Sequence, residues 1–582
     1  MVSNLNNKEA HKTSLMGGAA TIGMSVIVVK IIGLLYKIPL MKYLGAEGMG
    51  YFNSAYEVYL LFCVIATAGL PTALSILISR ARVDGDTQAS RLTVSAIYKR
   101  SLISFAFIGA FGAVLLTVAS GVFAEIIGNS GASRSISAIA PSILFICVIS
   151  ALRGYFQGHG DMKRTAISQV IEAAAKLLLG LSFALGALKR GKSLEEMSAF
   201  AVLGITVGTV LSCVYLIISK LAFDRKDRAD VSDTIRERSV SCADGISSDG
   251  IGVDGIGAEK IGRELLRIAV PITLGAAVTS ITRLFDTGLI MRRLQSIGYP
   301  ESVANAMYGS FSTLALPFSN LAPSLISGVA LTLVPLLSSS VKRGALKEQK
   351  NILEGAFRLT FIFAVPASFG ISAFSKQILS IIYGAETDAV EISAPLLSVL
   401  GISVLFACLI TTSNAVLQAY GKASKPIIST LIGAAVKLIS GYILIGIPSI
   451  NIMGAPISTL LCNLAVLMTN YYYICRYANV CECVVPSERI LDSAIRTAVS
   501  GAAAVGLSLL AYTVLNGVTH SVTLSTLAAI LAAVAAYFFL IFAVSAVARD
   551  DILMLPLGNK LARLLPDKKR KTKALPREKA KI

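Results

Sequence analysis

The chain has 582 residues, 54% of them hydrophobic and 15% charged, and a mean hydropathy of +0.72. That is more apolar surface than one soluble core can bury, which excludes an ordinary soluble globular protein. The formal net charge of +19 requires no nucleic-acid partner, because the basic residues flank apolar runs and fill a terminal tract, where they orient spans and meet anionic lipid.

Apolar runs recur from end to end. Ile495 to Leu515 and Leu524 to Val547 extend for about 20 residues or more with almost no charge, the length a helix needs to cross a ~30 Å hydrocarbon layer. The same criterion predicts about 14 spans, near 15–41, 55–79, 98–124, 134–157, 165–188, 199–222, 264–294, 308–339, 355–375, 390–418, 426–446, 453–477, 490–515 and 523–547. Pro39, Pro71, Pro141, Pro271, Pro317, Pro323, Pro335 and Pro366 fall within them. In a bilayer such kinks survive only where neighbouring helices or a wet cavity satisfy the freed carbonyls. The first apolar stretch is far longer than a signal h-region and has no clear small-residue cleavage site after it, so it is expected to stay as an anchor.

Charge sets the orientation. With both termini cytoplasmic, the inside segments hold roughly 40 of the 53 lysines and arginines, against about 8 in the outside loops. Lys189-Arg190-Gly191-Lys192 would then face outward, followed closely by Glu195-Glu196. Residues 223–263 are polar, with Gly, Ser and a repeated Asp-Gly-Ile, and read as a flexible cytoplasmic linker between 1–222 and 264–477. Residues 478–547 add two helices. Residues 548–582 form a basic tail, with about 11 lysines and arginines from Arg549 onward, placed to meet anionic lipids.

The nine cysteines are odd in number and scattered, which argues against a disulfide framework. Cys481-Glu482-Cys483 lacks a second cysteine or histidine pair, and His11, His159 and His520 are far apart. No metal, cofactor or catalytic cluster is expected, and the chain reads as a non-enzyme.

A repeat carries more information. Gln157 to Gly180 returns without a gap as Gln418 to Gly441: Gly160 matches Gly421, Ile167-Ser168 matches Ile428-Ser429, and Lys176-Leu177 matches Lys437-Leu438. A lysine-bearing helix duplicated in two halves of a membrane chain points to a pseudo-symmetric bundle around a transport pathway.

Function in such a chain is sought among its intramembrane charges, because each costs about 2.5–3.5 kcal/mol to insert. The candidates are Lys30 and Lys37 in the first span, seven apart on one face, Glu57 in the second, Glu172 and Lys176 in the fifth, Arg283 and Asp286 in the seventh, and Lys437 in the eleventh. Glu172 and Lys176 have the i,i+4 spacing of an internal salt bridge, and Arg283 and Asp286 can share a face and neutralise each other. The repeat puts Gly433 in place of Glu172, so spacing gives Lys437 no equivalent partner. Five cations against three carboxylates would favour an anionic cargo.

Leu152-Arg153-Gly154-Tyr155-Phe156-Gln157-Gly158, followed by Thr165-Ala166-Ile167-Ser168-Gln169-Val170-Ile171-Glu172, resembles the signature of bacterial polysaccharide-biosynthesis membrane proteins. The resemblance is to the stage V sporulation protein B and MurJ-like branch of the MOP flippase superfamily. Ile32 to Pro39, Gly69 to Ser75 and Phe285 to Leu294 agree with it. It implies an all-α multipass protein of the bacterial cytoplasmic membrane, with two pseudo-symmetric six-helix lobes around a V-shaped cavity and two C-terminal helices. It also implies export of an undecaprenyl-pyrophosphate-linked precursor such as lipid II. Well-known Gram-negative members of the family line the cavity with several arginines, whereas the first span here offers Tyr36-Lys37, and lysine binds phosphate as a point charge. With Arg153 and Gln157 of the signature and Gln418 as the repeat of Gln157, the candidate cavity set is Lys30, Lys37, Glu57, Arg153, Gln157, Lys176, Arg283, Asp286, Gln418 and Lys437. The coupling ion, if one is used, would be Na⁺ or H⁺. The alternatives are an exporter of another lipid-linked polysaccharide unit, a multidrug or cation antiporter of the same superfamily, and a non-transporting scaffold for spore or wall assembly.

Overall fold

The computed structural model describes residues 2–82, 88–239, 258–384, 387–477 and 488–544. These are helical almost throughout, with no strand among them. Cys481-Glu482-Cys483, the Asp-Gly-Ile repeats and the basic tail lie outside the described residues.

The first helix, α1 (Val2–Thr67), contains two crossings. Gly45 interrupts it at φ 66° and ψ −176°, a region essentially reserved for glycine. In a straight helix, residues 16 apart would be separated by ~24 Å along the axis. Yet the Tyr36 and Phe52 rings are 5.9 Å apart, and Lys37 Nζ is 3.4 Å from Asn53 Oδ1. The chain therefore doubles back at Gly45, and the apolar run Gly23–Ala81 of 59 residues is a hairpin of two spans. Its second arm continues into α2 (Leu70–Ala81), where Pro71 sits in the first turn and its missing N–H leaves no helix bond unmade.

The first half continues with α3 (Gln88–Val118), α4 (Ser120–Ile127), α5 (Ser133–Ile139), α6 (Ser142–Gly158), α7 (Met162–Lys189) and α8 (Leu194–Ser239). Pro141 divides the crossing made by α5 and α6. The second half has α9 (Ala258–Ser296), α10 (Glu301–Ser310), α11 (Leu316–Ser319), α12 (Leu321–Lys342), α13 (Leu346–Ala373) and α14 (Ser375–Tyr383). It continues with α15 (Asp388–Ala419), α16 (Ser424–Ile445) and α17 (Gly454–Tyr477), and is followed by α18 (Glu488–Thr519) and α19 (Val522–Ala543). α9 bends by 44° at Pro271. Among the described residues, eleven helices are long and apolar enough to span a bilayer, thirteen with the two bent pairs, and the fold-back at Gly45 brings the count to about fourteen.

α8 runs to Ser239, well into the segment that composition reads as a flexible linker. No glycine or proline occurs between Ala222 and Gly245, so nothing in that stretch stops the helix.

The sequence repeat is also a structural one. Gly160 and Gly421 adopt φ 78° and 72°, and each donates to the matching glutamine carbonyl, Gln157 at 3.0 Å and Gln418 at 2.9 Å. Asp161 N to Phe156 O and Lys422 N to Leu417 O repeat the next bond at 2.9 Å. The left-handed glycine closes the same turn in both copies. In the first helix of each half, setting Lys37 against Asp286 brings Ile32, Leu35 and Leu40 onto Ile281, Leu284 and Leu289.

By packing, the chain forms two compact units that do not follow the repeat. One comprises Met1–Leu321, Gly370–Ala407 and Ser424–Asn470; the other comprises Ala322–Phe369, Cys408–Ala423 and Tyr471–Ile582. In the larger unit α7 packs chiefly on α8 and α1, around a core that includes Leu40, Leu44, Leu74, Ile78, Phe105 and Phe156. In the smaller unit Leu337, Leu353, Val416 and Ile474 form one cluster. There Tyr537 Oη donates to the Ile362 carbonyl at 2.7 Å. Ile103, Phe107, Phe111, Val114 and Val118 of α3 are exposed, as an outer face turned to lipid requires.

Gly45 has open space where a Cβ would stand, whereas Gly186, inside α7, has open space and an ordinary helical backbone. Gly45→Ala should therefore destabilise the protein by about 1–3 kcal/mol through backbone strain alone. Gly186→Ala should be neutral or stabilising by up to ~1 kcal/mol. Thermal unfolding of the two detergent-purified variants separates these outcomes.

Candidate functional site

A cavity of about 440 Å³ lies within the first half of the chain. α1 contributes Val26, Val29, Lys30, Gly33 and Tyr36, and α7 contributes Gln169, Glu172, Ala173 and Lys176. Both sets follow the i, i+3, i+4, i+7 stripe of one helix face. Tyr56 and Tyr59 from the second arm of α1, Arg153 from α6 and Ile205 from α8 complete the wall. α8 comes close because glycines meet there: a Cβ on Gly204 would lie 2.2 Å from the Gly180 Cα. Gly180 also leaves room for Tyr36 Oη, 2.6 Å from where its Cβ would be, and that hydroxyl donates to the Ala201 carbonyl at 3.0 Å.

The ion pairs in the cavity differ from those that spacing suggests. Glu172 pairs with Arg153, Nη2 to Oε2 at 2.9 Å, and not with Lys176. Arg153 Nε also donates to Ser168 Oγ at 3.0 Å, so the fork of the guanidinium is used twice, which a lysine could not reproduce. Lys176 instead lies over the faces of Tyr36 and Tyr56, 5.2 and 4.7 Å from the ring centroids. Three cations, Lys30, Arg153 and Lys176, thus share the cavity with the single carboxylate of Glu172.

A second charged cluster joins α1 to α9, α16 and the π-helical turn Phe311–Ala315. Here Pro317 acts at a distance. Leu316 N bonds to the Phe311 carbonyl, and Pro317 has no N–H, so the Ser312 carbonyl has no helical donor. Lys37 Nζ takes its place at 3.2 Å. Beside it Asn53 Nδ2 donates to Thr313 Oγ1 at 2.7 Å. Asp286 is buried and pairs with Lys437 across α9 and α16, Oδ2 to Nζ at 2.7 Å. The expected pairing of Arg283 with Asp286 does not form, and Lys437 does have a partner, supplied by another helix instead of its own.

Glu57 and Arg283 make no hydrogen bond or ion pair through their side chains among the described residues. Gln157 and Gln418 stand apart from both clusters, at the ends of α6 and α15, where their carbonyls belong to the repeated turn. Sequence reasoning missed the aromatic walls. Their signal was present: Phe52, Tyr56 and Tyr59 recur at helical spacing and form one aromatic face, with successive centroids 6.2 and 5.7 Å apart.

Fold and site together define a multispanning membrane protein of the transporter type, with buried charge in both repeated halves. Residues 15–341 match the family model described as "polysaccharide biosynthesis protein" and residues 310–443 match the MatE model; the chain belongs to the polysaccharide biosynthesis protein family. It is 25% identical over 480 residues to the lipid II flippase MurJ of Bacillus subtilis (strain 168), covering 80% of this chain and 83% of that protein. It is 24% identical over 449 residues to the stage V sporulation protein B of the same organism, covering 77% and 81%. Among solved structures, MurJ in an inward closed conformation matches with a TM-score of 0.62 at 15% identity, over 89% of this chain and 97% of that one. An inward-facing multidrug resistance MATE family transporter matches with a TM-score of 0.61 at 14% identity, over 81% and 99%.

The observed partners reverse the stability order that spacing implies. Lys437→Met leaves the Asp286 carboxylate buried and unpaired, at a cost on the order of 3–5 kcal/mol. Lys176→Met removes only contacts with two ring faces, worth roughly 0.5–2 kcal/mol. Lys437→Met should therefore lower the melting temperature more, and adding Asp286→Asn should restore it in part. Equal melting temperatures would contradict this assignment.

Proposed function

We propose that this protein is a flippase that carries an undecaprenyl-pyrophosphate-linked wall precursor, lipid II or a close analogue, across the bacterial cytoplasmic membrane. The observation that carries the reading is the cavity with three cations and one carboxylate, in a family whose relatives include a lipid II flippase. A pyrophosphate brings two or more negative charges into a low-dielectric layer, where preplaced cations hold it far better than water-exposed ones would. Arg153 is fixed by Glu172 and Ser168 with part of its fork committed. Lys30 and Lys176 line the same cavity, and Lys176, held over two ring faces, has no carboxylate to give up before it meets a phosphate oxygen. No bond is made or broken. Alternating access between the lobes 1–222 and 264–477 would expose the cavity to each side in turn.

The likeness to multidrug transporters supports a second reading, export of cationic drugs. The charge of the cavity opposes it, because an organic cation would meet three like charges and one opposite charge.

In proteoliposomes holding a fluorescent lipid II, Lys30→Ala and Lys176→Met should each slow flipping about tenfold or more, the loss of one charge-assisted contact of ~1.5–3 kcal/mol. Both should insert normally. Wild-type rates in both variants would remove these lysines from the cargo site, and transport of ethidium but not of the lipid would favour the drug reading.

The distribution of basic residues supports placing both termini, the 223–263 segment and the tail on the cytoplasmic side. Single cysteines introduced after Arg549 should resist an impermeant thiol reagent in intact cells and react after permeabilisation. Labelling from outside would invert the topology.

A further inference from the structure

Glu57 is a half-buried carboxylate that neither cluster pairs. Its Oε2 is sealed from solvent and has no hydrogen-bond partner. The other two carboxylates of these clusters, Glu172 and Asp286, are each paired. The charges that face Glu57 are Arg283 and Asp286 from α9, Lys37 from α1 and Lys437 from α16, with the phenols of Tyr56 on α1 and Tyr308 on α10 nearby. Lys37 is held by the Ser312 carbonyl and Asn53, and Lys437 and Asp286 hold each other. The Arg283 guanidinium makes no hydrogen bond or ion pair among the described residues. Glu57 and Arg283 are therefore opposite charges on different helices, each lacking a direct partner.

We infer that Glu57 is the proton-binding group that couples transport to a proton gradient: protonated in the conformation described here, and paired as a carboxylate with Arg283 in the alternative one. The inference rests on the flippase reading above. A carboxylate oxygen buried without a donor is costly, and a proton relieves that cost where no cationic side chain reaches it. Movement of α9 against α1 that brought Arg283 within reach would supply the charge instead and release the proton. Such a difference in proton affinity between two states is what coupling requires. Sodium suits the site poorly: a metal cation wants several oxygen ligands, whereas Glu57 is faced by three cations and Asp286 is already committed to Lys437.

The test uses the full-length protein in liposomes with a fluorescent undecaprenyl-pyrophosphate-linked disaccharide, the membrane potential clamped at zero, and either a pH or a Na⁺ gradient imposed. The readout is the steady-state ratio of label between leaflets. One proton per cargo would skew that ratio up to about tenfold per pH unit. Wild type and Glu57→Asp should respond to the pH gradient and not to Na⁺, and Glu57→Gln should give the same ratio with and without it. Arg283→Gln, which removes the partner of the other state, should also lose the response and decides the matter if Glu57→Gln does not fold. A response in Glu57→Gln equal to that of wild type, or a wild-type response to Na⁺ alone, overturns the inference. A wild-type protein that equilibrates the lipid but ignores both gradients also overturns it while leaving the flippase reading intact. A wild type that moves no lipid overturns both.

Discussion

The ion pair between Asp286 and Lys437 determines how charge is shared between the two repeated halves. In the second half, the lysine of the duplicated helix meets an aspartate at 2.7 Å and the two cancel. In the first half Lys37 stands where the alignment of the two halves puts Asp286, Glu172 is taken by Arg153, and Lys176 has no such carboxylate to meet. It settles over Tyr36 and Tyr56 instead. The duplicated lysine is thus paired with a carboxylate in one half and not in the other, although the repeated turn is alike in both.

Lys37 cannot then turn toward Lys176, and the structure gives it another anchor. The missing N–H of Pro317 leaves the Ser312 carbonyl open at the π-helical turn, and Lys37 fills it. This is why a proline that breaks a helix is compatible with the hydrocarbon layer here: the freed acceptor is satisfied by a side chain from a neighbouring span. The fold-back at Gly45 is a precondition. Without it Lys37 and Asn53 would be on opposite sides of the membrane, instead of side by side on the same turn.

The spans, the turn at Gly160 and Gly421 and the excess of cations could all be read from the sequence, because length, glycine and charge act locally. The partners of the charges could not. Glu172 and Lys176 have ideal spacing for a salt bridge, yet Arg153 from α6 takes the carboxylate with a fork that also engages Ser168. Arg283 and Asp286 share a face, yet Lys437 arrives from α16. Spacing along a helix sets which groups can meet, and tertiary neighbours with better geometry decide which of them do. The same limit explains the missed tyrosines, since the stripe of Phe52, Tyr56 and Tyr59 looks like any buried helix face until Lys176 is seen to lie on it. The helix through Ser239 was missed for a different reason: polar composition suggested a coil, but a chain without glycine or proline can continue a helix into water.

The two lysines also show what each kind of partner permits. An ammonium buried against a carboxylate is neutralised, and an incoming anion would have to displace a charge-assisted bond to reach it. An ammonium over two aromatic faces is stabilised by the ring quadrupoles and still carries its full charge toward any open side. Lys176 has such a side, because it lines the cavity with Lys30 and Arg153. The duplicated helix is therefore held differently in the two halves: in the second its lysine ties α16 to α9, and in the first the equivalent lysine lies on two ring faces at the cavity wall.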